Sequence, residues 1–265
     1  MNIKSLKTEL KTILNKLFPT FLNDYSNLKD LKYMLHILKF LITSNIPLPY
    51  HNRIELIKSF FKISLNIESP HTLAEILAYT TTILETPKSI KGCFVEAGCY
   101  KGGSTAKFSL ATAITERKLI VFDSFEGIPE TYEKHDKDIW GRLTGFKKGD
   151  YCGTLTEVRE NVLKYGNLNV CEFIKGWFED TMPNFKQPIA GIYLDVDLAS
   201  STRTCLKYLY PLLEPGGVLY SQDGHLPLVI AIFNDTEYWE NEVGCQKPYI
   251  EGLGRRKLLK IKKQI

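Results

Sequence analysis

The chain has 265 residues, of which 44% are hydrophobic and 24% are charged, the balance of an ordinary soluble globular protein. This length accommodates one large α/β domain with an extension, or two small domains. The net charge of +4 is too small to indicate a nucleic-acid binder or a strongly anionic partner.

The cysteines and the apolar segments exclude two further classes. The six cysteines form no C-x-x-C pair and none of the Cys/His spacings that are typical of zinc sites. This pattern suits the reducing cytosol, so we expect a cytoplasmic protein. The most apolar stretch, residues 33–48, is too short to span a membrane and contains Lys39, so we expect no membrane contact.

The first third of the chain is predicted to contain helices only. Apolar residues recur there at steps of three and four, in four stripes near residues 3–17, 28–38, 54–61 and 73–77. We therefore predict a helical extension over residues 1–85 and a main domain over residues 86–265. Each apolar stripe needs a cover, which is another helix, the main domain, or a second subunit in a homo-oligomer.

From about residue 90, short strands alternate with helices. The predicted strands are "CFVEAG", "KLIVFDSF", "NVCEFIKG", "IAGIYLDVD", "GGVLYSQD" and a final pair near residues 246–262, with helices near 156–165, 200–212 and 227–242. This alternation predicts a mostly parallel, doubly wound α/β sheet, whose ligands bind at the carboxyl ends of the strands. A long polar loop, residues 126–155, is predicted to be a lid or an acceptor-binding segment.

The first strand ends in Glu96 and Gly98, and the turn that follows contains Gly102 and Gly103. The spacing matches neither the G-x-G-x-x-G dinucleotide fingerprint nor the G-x-x-x-x-G-K-[ST] phosphate loop. A carboxylate beside the turn would repel pyrophosphate but suits a cationic or hydroxyl-bearing ligand, which glycines let the backbone approach. Tight packing of strand against helix is the alternative interpretation.

Two further segments have the chemistry of a nucleoside site. Asp123 ends the second strand and could accept both hydroxyls of a ribose, or could instead cap a loop or helix. After a turn at Gly176, Trp177 and Phe178 could form a flat apolar wall for an adenine ring, or could pack in the core.

The fourth and fifth predicted strands deliver acids to the same edge of the sheet. "IYLDVDL" contains Asp195 and Asp197, and "GGVLYSQDG" contains Asp223. Buried acids are costly unless they are paired or bind a metal, so these side chains indicate a site. Carboxylates in this number suit a hard divalent ion such as Mg²⁺.

Five motifs together resemble the macrocin O-methyltransferase (TylF-like) family. They are "VEAGCYKGGST", "VFDSFEGIPE", "KGWFEDTMP", "LDVDLASST" and "LYPLLEPGGVLYSQD", in the family's order and spacing over roughly residues 90–225. The resemblance implies a Rossmann-like class I methyltransferase fold with an antiparallel C-terminal strand. It also implies S-adenosylmethionine as methyl donor, usually a divalent cation, and as partner a small-molecule or glycan acceptor methylated on a sugar hydroxyl.

Carried onto this chain, the resemblance implies a role for each matching residue. It assigns Glu96 and Gly98 to the methionine-binding turn, and Asp195 and Asp223 to the metal. Asp123 is assigned to the ribose, and the two aromatic residues to the adenine. The predicted cofactor-binding residues are Glu96, Gly98, Tyr100, Gly102, Ser104, Asp123, Ser124, Gly176, Trp177 and Phe178.

Two departures from the family pattern bear on the metal. The family usually has "LDGDLYEST" where this chain has "LDVDLASST", and paired acids where this chain has Gln222 and Asp223. On a continuing strand, Asp197 would face the same way as Asp195 and could replace the acid lost at Gln222. A metal-free enzyme remains the alternative.

The candidate general base is His225, which directly follows Asp223, with Asp195 or Asp197 as rival. The alternative for His225 is a loop histidine with no role. Two other classes of protein stay open. A nicotinamide-dependent oxidoreductase would have a similar fold, although the dinucleotide fingerprint is missing. A non-catalytic relative that keeps the cofactor pocket is also compatible with the altered "SQDG".

Overall fold

The computed structural model describes residues 31–264. Within that range one sheet contains β1 (Cys93–Ala97), β2 (Leu119–Asp123), β3 (Cys171–Lys175), β4 (Ile189–Leu194), β5 (Leu213–Ser221) and β6 (Leu259–Lys262). The strand order is β3-β2-β1-β4-β5-β6, and every neighbouring pair is parallel except β5 with β6. The predicted parallel sheet with an antiparallel C-terminal strand is therefore confirmed. The predicted final strand pair is wrong, because only β6 and an isolated bridge from Glu251 to Lys260 form there.

The helices of the described range lie on both faces of this sheet. They are α1 (Leu31–Ile42), α2 (Tyr50–Asn66), α3 (Leu73–Glu85), α4 (Gly103–Ile114), α5 (Leu155–Tyr165), α6 (Phe178–Thr181), α7 (Ala199–Leu209), α8 (Pro227–Asn234) and α9 (Thr236–Tyr238). The single helix predicted near 227–242 is interrupted. Asp235 is extended there, and its side chain accepts a hydrogen bond from the Tyr238 N–H at 2.9 Å, which starts a new helical turn. None of these helices is long and apolar enough to cross a membrane.

The α3 helix begins at a capping box. The Thr72 N–H donates to the Glu75 carboxylate at 2.7 Å, and the Glu75 N–H donates to the Thr72 hydroxyl at 3.4 Å. Further along α3, the Tyr79 ring packs against the rings of Phe94 on β1 and Tyr193 on β4. The described N-terminal helices therefore share one apolar core with the sheet. The first predicted apolar stripe, residues 3–17, lies outside the described residues.

The helices α1 and α2 are joined through the buried guanidinium of Arg53. It donates to carbonyl oxygens of the α1 C-terminus and the following loop: Leu48 at 2.8 Å, Phe40 at 3.2 Å, Leu41 at 3.0 Å, Thr43 at 2.5 Å and Ile46 at 2.7 Å. The last carbonyls of a helix have no partner within the helix, so Arg53 satisfies groups that would otherwise be unpaired.

The strand order reverses between β1 and β4, which creates a crevice at the carboxyl edge of the sheet. In the register of the sheet, Ala97 lies beside Phe122 and Leu194, and Leu194 lies beside Ser221. The residues that follow these positions along the chain therefore meet at one edge, which is where the sequence predicted the site.

Candidate functional site

A cavity of about 900 Å³ opens at this edge of the sheet. It brings together most of the residues that the sequence singled out. Those that line it are Gly98, Tyr100, Asp123, Ser124, Gly176, Trp177, Phe178, Asp195, Asp197, Asp223 and His225.

Three predicted cofactor-binding residues, Glu96, Gly102 and Ser104, are not among the residues that line this cavity. Glu96 is 0% exposed on β1, and its Oε2 accepts a hydrogen bond from the Thr105 hydroxyl at 2.6 Å. Among the described residues, Glu96 Oε1 and the Ser104 hydroxyl have no hydrogen-bond partner. Burial raises the pKa of Glu96 to about 8. Glu96 therefore lies behind the cavity wall, inside the turn.

The turn after β1 depends on a glycine at its first position. Gly98 has a φ of +82°, and a Cβ there would lie 1.9 Å from the Asp195 carbonyl oxygen. Any side chain would therefore separate the end of β1 from the end of β4. This close approach places the predicted cofactor turn directly beside the acids.

Asp123 links this turn to the end of β2. One carboxylate oxygen accepts from the Cys99 N–H at 2.7 Å and the other accepts from the Phe125 N–H at 2.7 Å. Burial raises the pKa of Asp123 despite these bonds. Each carboxylate oxygen has a further lone pair, so the residue can cap the turn and also accept hydroxyls from a ligand.

The two aromatic residues follow a turn fixed by the backbone. The Gly176 N–H donates to the Asp123 carbonyl at 3.0 Å, which holds this segment next to the carboxylate. Trp177 is the N-cap of α6, and both Trp177 and Phe178 line the cavity. Phe178 also packs against the core, so its side chain contributes both to the cavity wall and to core packing.

The long loop, residues 126–154, covers one side of the cavity. Its Tyr151 ring meets the Tyr100 ring edge to face at 5.7 Å, and a Cβ at Gly153 would lie 2.1 Å from the Tyr100 carbonyl oxygen. The Glu133 carboxylate accepts from the Ala199 and Ser200 N–H groups at the start of α7, both at 2.8 Å.

A second contact of this loop involves the predicted base. The Trp140 ring stacks on the His225 ring with a centroid distance of 6.0 Å and an interplanar angle of 21°. The Ile139 N–H donates to the His225 carbonyl at 3.0 Å. Within the described range, His225 Nδ1 has no hydrogen-bond partner, and burial lowers the pKa of this imidazole. His225 is thus an imidazole with a lowered pKa that the loop holds on the cavity wall.

The three acids converge as the sequence predicted. Asp195, Asp197 and Asp223 each offer a carboxylate oxygen, and these oxygens lie within 4.8 Å of one another. Asp223 Oδ2 accepts from the N–H groups of Val196 at 3.0 Å and Asp197 at 3.1 Å. The geometry of Asp197 differs from the expectation of a continuing strand. The strand β4 ends at Leu194, and Asp197 has a φ of 60°. A turn, and not a continuing strand, therefore brings Asp197 next to Asp195 and Asp223.

The pKa values of these acids reflect burial and mutual repulsion. Burial and the nearby Asp195 raise the pKa of Asp223 to about 7, and burial and Asp223 raise the pKa of Asp197 well above its ordinary value. Although burial acts in the opposite direction on Asp195, the imidazole of His71 lowers the pKa of that carboxyl group. Hard oxygen ligands that repel one another fit a divalent ion such as Mg²⁺.

Gln222 stands where the family pattern has an acid, and its side chain does not point into the acidic group. It is 1% exposed, and its Oε1 accepts a hydrogen bond from the Tyr193 hydroxyl at 2.7 Å. The acidic group of the described chain therefore consists of Asp195, Asp197 and Asp223.

The sequence interpretation missed two nitrogen-bearing side chains beside these acids, an imidazole and an ammonium group. His71 Nε2 lies 3.0 Å from Asp195 Oδ2. Lys257 lines the cavity, and its charge partly offsets the effect of burial on the pKa values of the three acids. The sequence gives one indication of the position of His71. It directly precedes Thr72, the N-cap of α3, and therefore lies at a helix start. Lys257 belongs to the basic run "RRKLLKIKKQI", whose alternation of apolar and charged residues is typical of a strand with a solvated face.

Two curated O-methyltransferases are similar in sequence to part of the chain. A Streptomyces olivaceus protein, 8-demethyl-8-(2,3-dimethoxy-alpha-L-rhamnosyl)-tetracenomycin-C 4'-O-methyltransferase, is 38% identical over 140 residues, covering 51% of this chain and 53% of the relative. Mycinamicin III 3''-O-methyltransferase of Micromonospora griseorubida is 32% identical over 145 residues, covering 52% and 57%. The matched region thus spans about half the length of these relatives.

Solved structures share the fold. The O-methyltransferase NovP superposes with a TM-score of 0.59 at 22% identity, covering 74% of this chain and 84% of NovP. The calicheamicin methyltransferase CalS11 gives a TM-score of 0.56 at 17% identity, covering 87% and 91%. The sequence profile of the macrocin O-methyltransferase (TylF) family matches residues 71–248, more than half of the chain. This chain therefore belongs to the macrocin O-methyltransferase family, as its five motifs predicted.

Proposed function

We propose that this chain is an S-adenosylmethionine-dependent O-methyltransferase that methylates a sugar hydroxyl of a glycosylated small molecule. Its family and the names of its relatives, which modify tetracenomycin and mycinamicin compounds, support this function. The observation that carries the proposal is the single cavity that both Asp123 and the three acids line. A methyl donor and a hydroxyl acceptor must meet in one such space.

The cofactor would occupy the half of the cavity formed by β1 and β2. The backbone of the turn at Gly98 is open to the methionine end, and Asp123 has lone pairs for the ribose hydroxyls. Trp177 offers a flat surface to the adenine. When bound, S-adenosylmethionine supplies an activated methyl group on its sulfonium. We assign Glu96, Gly102 and Ser104 to support of the turn, because they lie outside the lining of the cavity.

The acceptor would occupy the other half, between the acids and the long loop. Asp195, Asp197 and Asp223 would hold a divalent ion such as Mg²⁺, since their oxygens form a compact group of hard ligands. When bound, such an ion lowers the pKa of a coordinated hydroxyl. The cavity wall also contains Lys257, which limits the excess of negative charge there.

We assign the proton transfer to His225. Its imidazole is neutral near pH 7 because burial lowers its pKa, and Nδ1 has no hydrogen-bond partner within the described chain. The stacked Trp140 ring fixes its orientation. The neutral imidazole would take the proton of the acceptor hydroxyl, which leaves an oxygen lone pair free to attack the methyl carbon. Asp197 is the rival base, because its pKa is also raised by burial.

The experiment that tests this function compares metabolites of the source strain with those of a deletion strain. We expect a glycosylated compound to lose the mass of one methylene group in the deletion strain. Purified chain with methyl-labelled S-adenosylmethionine should then transfer label to that accumulated compound, and His225→Ala should slow the transfer by about 10²-fold or more. No difference between the strains, or no transfer of label to any accumulated glycoside, would contradict the proposal.

A further inference from the structure

His71 lies against the acidic group although it comes from the loop between α2 and α3. Its side chain is 3% exposed, and its Nε2 lies 3.0 Å from Asp195 Oδ2. The other ring nitrogen, Nδ1, lies 2.9 Å from the Ser69 hydroxyl. The ring packs on Tyr193 with a centroid distance of 5.7 Å. Contacts on three sides thus fix the imidazole.

These contacts indicate which nitrogen of the imidazole ring carries hydrogen. A nitrogen that faces a carboxylate oxygen at 3.0 Å is held there only if it carries hydrogen, so Nε2 is the donor. The Ser69 hydroxyl can donate to Nδ1 and so stabilise this tautomer. In this structure the Nε2–H is not aligned well enough to form a hydrogen bond with any described residue. It is a buried donor that faces the carboxylate of the site.

The local fold does not account for this placement. The neighbouring Thr72 caps α3 together with Glu75, so the helix does not need His71. Among the described residues, His71 is the one basic side chain within ion-pair distance of Asp195. Asp195 is one of the three carboxylates of the site, to which Gln222 adds none because its oxygen accepts from the Tyr193 hydroxyl.

We propose that His71 is a positioning residue that holds the Asp195 carboxylate for a divalent cation, an inference that rests on the cation site of the proposed function. With an ion bound, a small rotation of the imidazole would let Nε2–H donate to the carboxylate oxygen that it faces at 3.0 Å, and the remaining lone pairs of Asp195 would stay available to the ion. Hydrogen bonds to metal-binding carboxylates orient them, and their loss costs about 10–100-fold in metal affinity. Through His71, the segment before α3 becomes part of the site.

The test compares two substitutions in the full-length chain. His71→Gln keeps an N–H donor near the position of Nε2, whereas His71→Asn can reach only toward Ser69. The probe is Mn²⁺, whose free concentration is followed by its paramagnetic resonance signal in the absence of S-adenosylmethionine. We expect His71→Asn to weaken Mn²⁺ binding by about 10–100-fold and His71→Gln to stay within about threefold of the natural chain. S-adenosylmethionine affinity, measured by calorimetry, should change in neither variant.

Each other outcome has a distinct meaning. Unchanged Mn²⁺ affinity in His71→Asn, or an equal loss in both variants, would overturn the positioning role. If the natural chain takes up no Mn²⁺, this inference and the cation assignment are both wrong, while S-adenosylmethionine binding still tests the methyltransferase proposal separately. Should His71→Asn fail to fold, Ser69→Ala serves as the second variant. We expect it to weaken Mn²⁺ binding several-fold, and unchanged affinity there would also overturn the inference.

Discussion

At the scale of single residues, the edge of the sheet holds carboxyl groups that burial keeps partly protonated. Burial raises the pKa of Glu96 to about 8, and burial with repulsion from Asp195 raises that of Asp223 to about 7. Such groups lower the stability of the folded chain near neutral pH, so their presence is explained by the site they form. Their two positions differ, because Glu96 lies behind the turn and Asp223 lines the cavity.

Glu96→Gln should stabilise the chain more at pH 8 than at pH 5. Between the ordinary value of 4.5 and the folded pKa of about 8, the folded state keeps a proton that the unfolded state has released. The unfolding free energy of the natural chain therefore falls as pH rises through this window, by up to about 1.4 kcal/mol per pH unit. The Gln variant has no such slope. Urea denaturation at both pH values measures the difference.

Glu160, which is exposed on α5, provides the matched control for this experiment. Glu160→Gln should change the unfolding free energy equally at pH 5 and pH 8. If Glu96→Gln gives the same difference from the natural chain at both pH values, the buried, protonated state of Glu96 is refuted.

Asp223→Asn should weaken the binding of the cation without weakening the binding of the cofactor. The Asn carbonyl can still accept the N–H groups of Val196 and Asp197, so the turn keeps its shape. Loss of one carboxylate should weaken Mn²⁺ binding by at least about tenfold, while S-adenosylmethionine affinity stays within about twofold. Calorimetry with each ligand in turn measures both constants. An equal loss of both affinities would show that Asp223 acts through the fold instead.

At the scale of structural elements, the long loop, residues 126–154, contributes a part of the cavity wall from outside the sheet edge. Glu133 fixes it to the start of α7, and Trp140 fixes it to His225. Although burial acts to raise it, hydrogen bonds from His135 and from the α7 backbone lower the pKa of Glu133 to about 2. The ionised Glu133 therefore stabilises the docked loop at neutral pH.

Glu133→Gln should release this loop. The charge-assisted bonds to the two backbone N–H groups contribute about 1.5–3 kcal/mol, so cleavage by thermolysin within residues 126–154 should accelerate about tenfold or more. The KM for the acceptor should rise with it. The folded pKa of Glu133 is below its ordinary 4.5, so its contribution is complete above pH 4.5 and is lost as pH falls toward about 2. The stability difference between the natural chain and the variant should shrink over that range.

Glu130 lies in the same loop but is exposed, with its nearest ion-pair partner, Lys148, 3.9 Å away. Glu130→Gln should leave the cleavage rate unchanged. Equal cleavage rates for Glu133→Gln and the natural chain would mean that the loop is held elsewhere.

Sequence patterns predicted the five parallel strands and where they end, because parallel strands bring their carboxyl ends to one edge whatever the details of packing. They did not show that Glu96 lies behind the cavity wall instead of lining it. All five residues of β1 are buried, so alternation along this strand does not reveal which side chains face a ligand. His71, Glu133 and Lys257 were missed because they reach the site from loops, whose paths leave no periodic signal.

At the scale of the whole molecule, the described N-terminal helices and the sheet form one packed body. Ile37 of α1 and Phe60 of α2 belong to the same apolar core as Phe94 of β1. The proposed division at residue 85 therefore separates segments that share a core. The proposed homo-oligomer through the N-terminal helices does not follow from this shared core. Sedimentation velocity measures the oligomeric state directly.

Arg53→Met should destabilise this packed body. Methionine fills a similar volume but leaves the carbonyl groups between Phe40 and Leu48 without their donor. Each buried unsatisfied group costs about 1–3 kcal/mol, so we expect a loss of at least about 3 kcal/mol of unfolding free energy. Urea denaturation measures it, with Lys58→Met on the same helix as control. A loss below about 1 kcal/mol for Arg53→Met would contradict the joining role of this residue.

The most direct test of the central claim is calorimetric titration of the full-length chain with S-adenosylmethionine, with NADH as the competing cofactor. We expect saturable binding of S-adenosylmethionine and none of NADH. Asp123→Ala should weaken the affinity by about ten- to hundredfold, because it removes a charge-assisted hydrogen bond worth about 1.5–3 kcal/mol. Absence of S-adenosylmethionine binding, binding of NADH in its place, or unchanged affinity in Asp123→Ala would contradict the account.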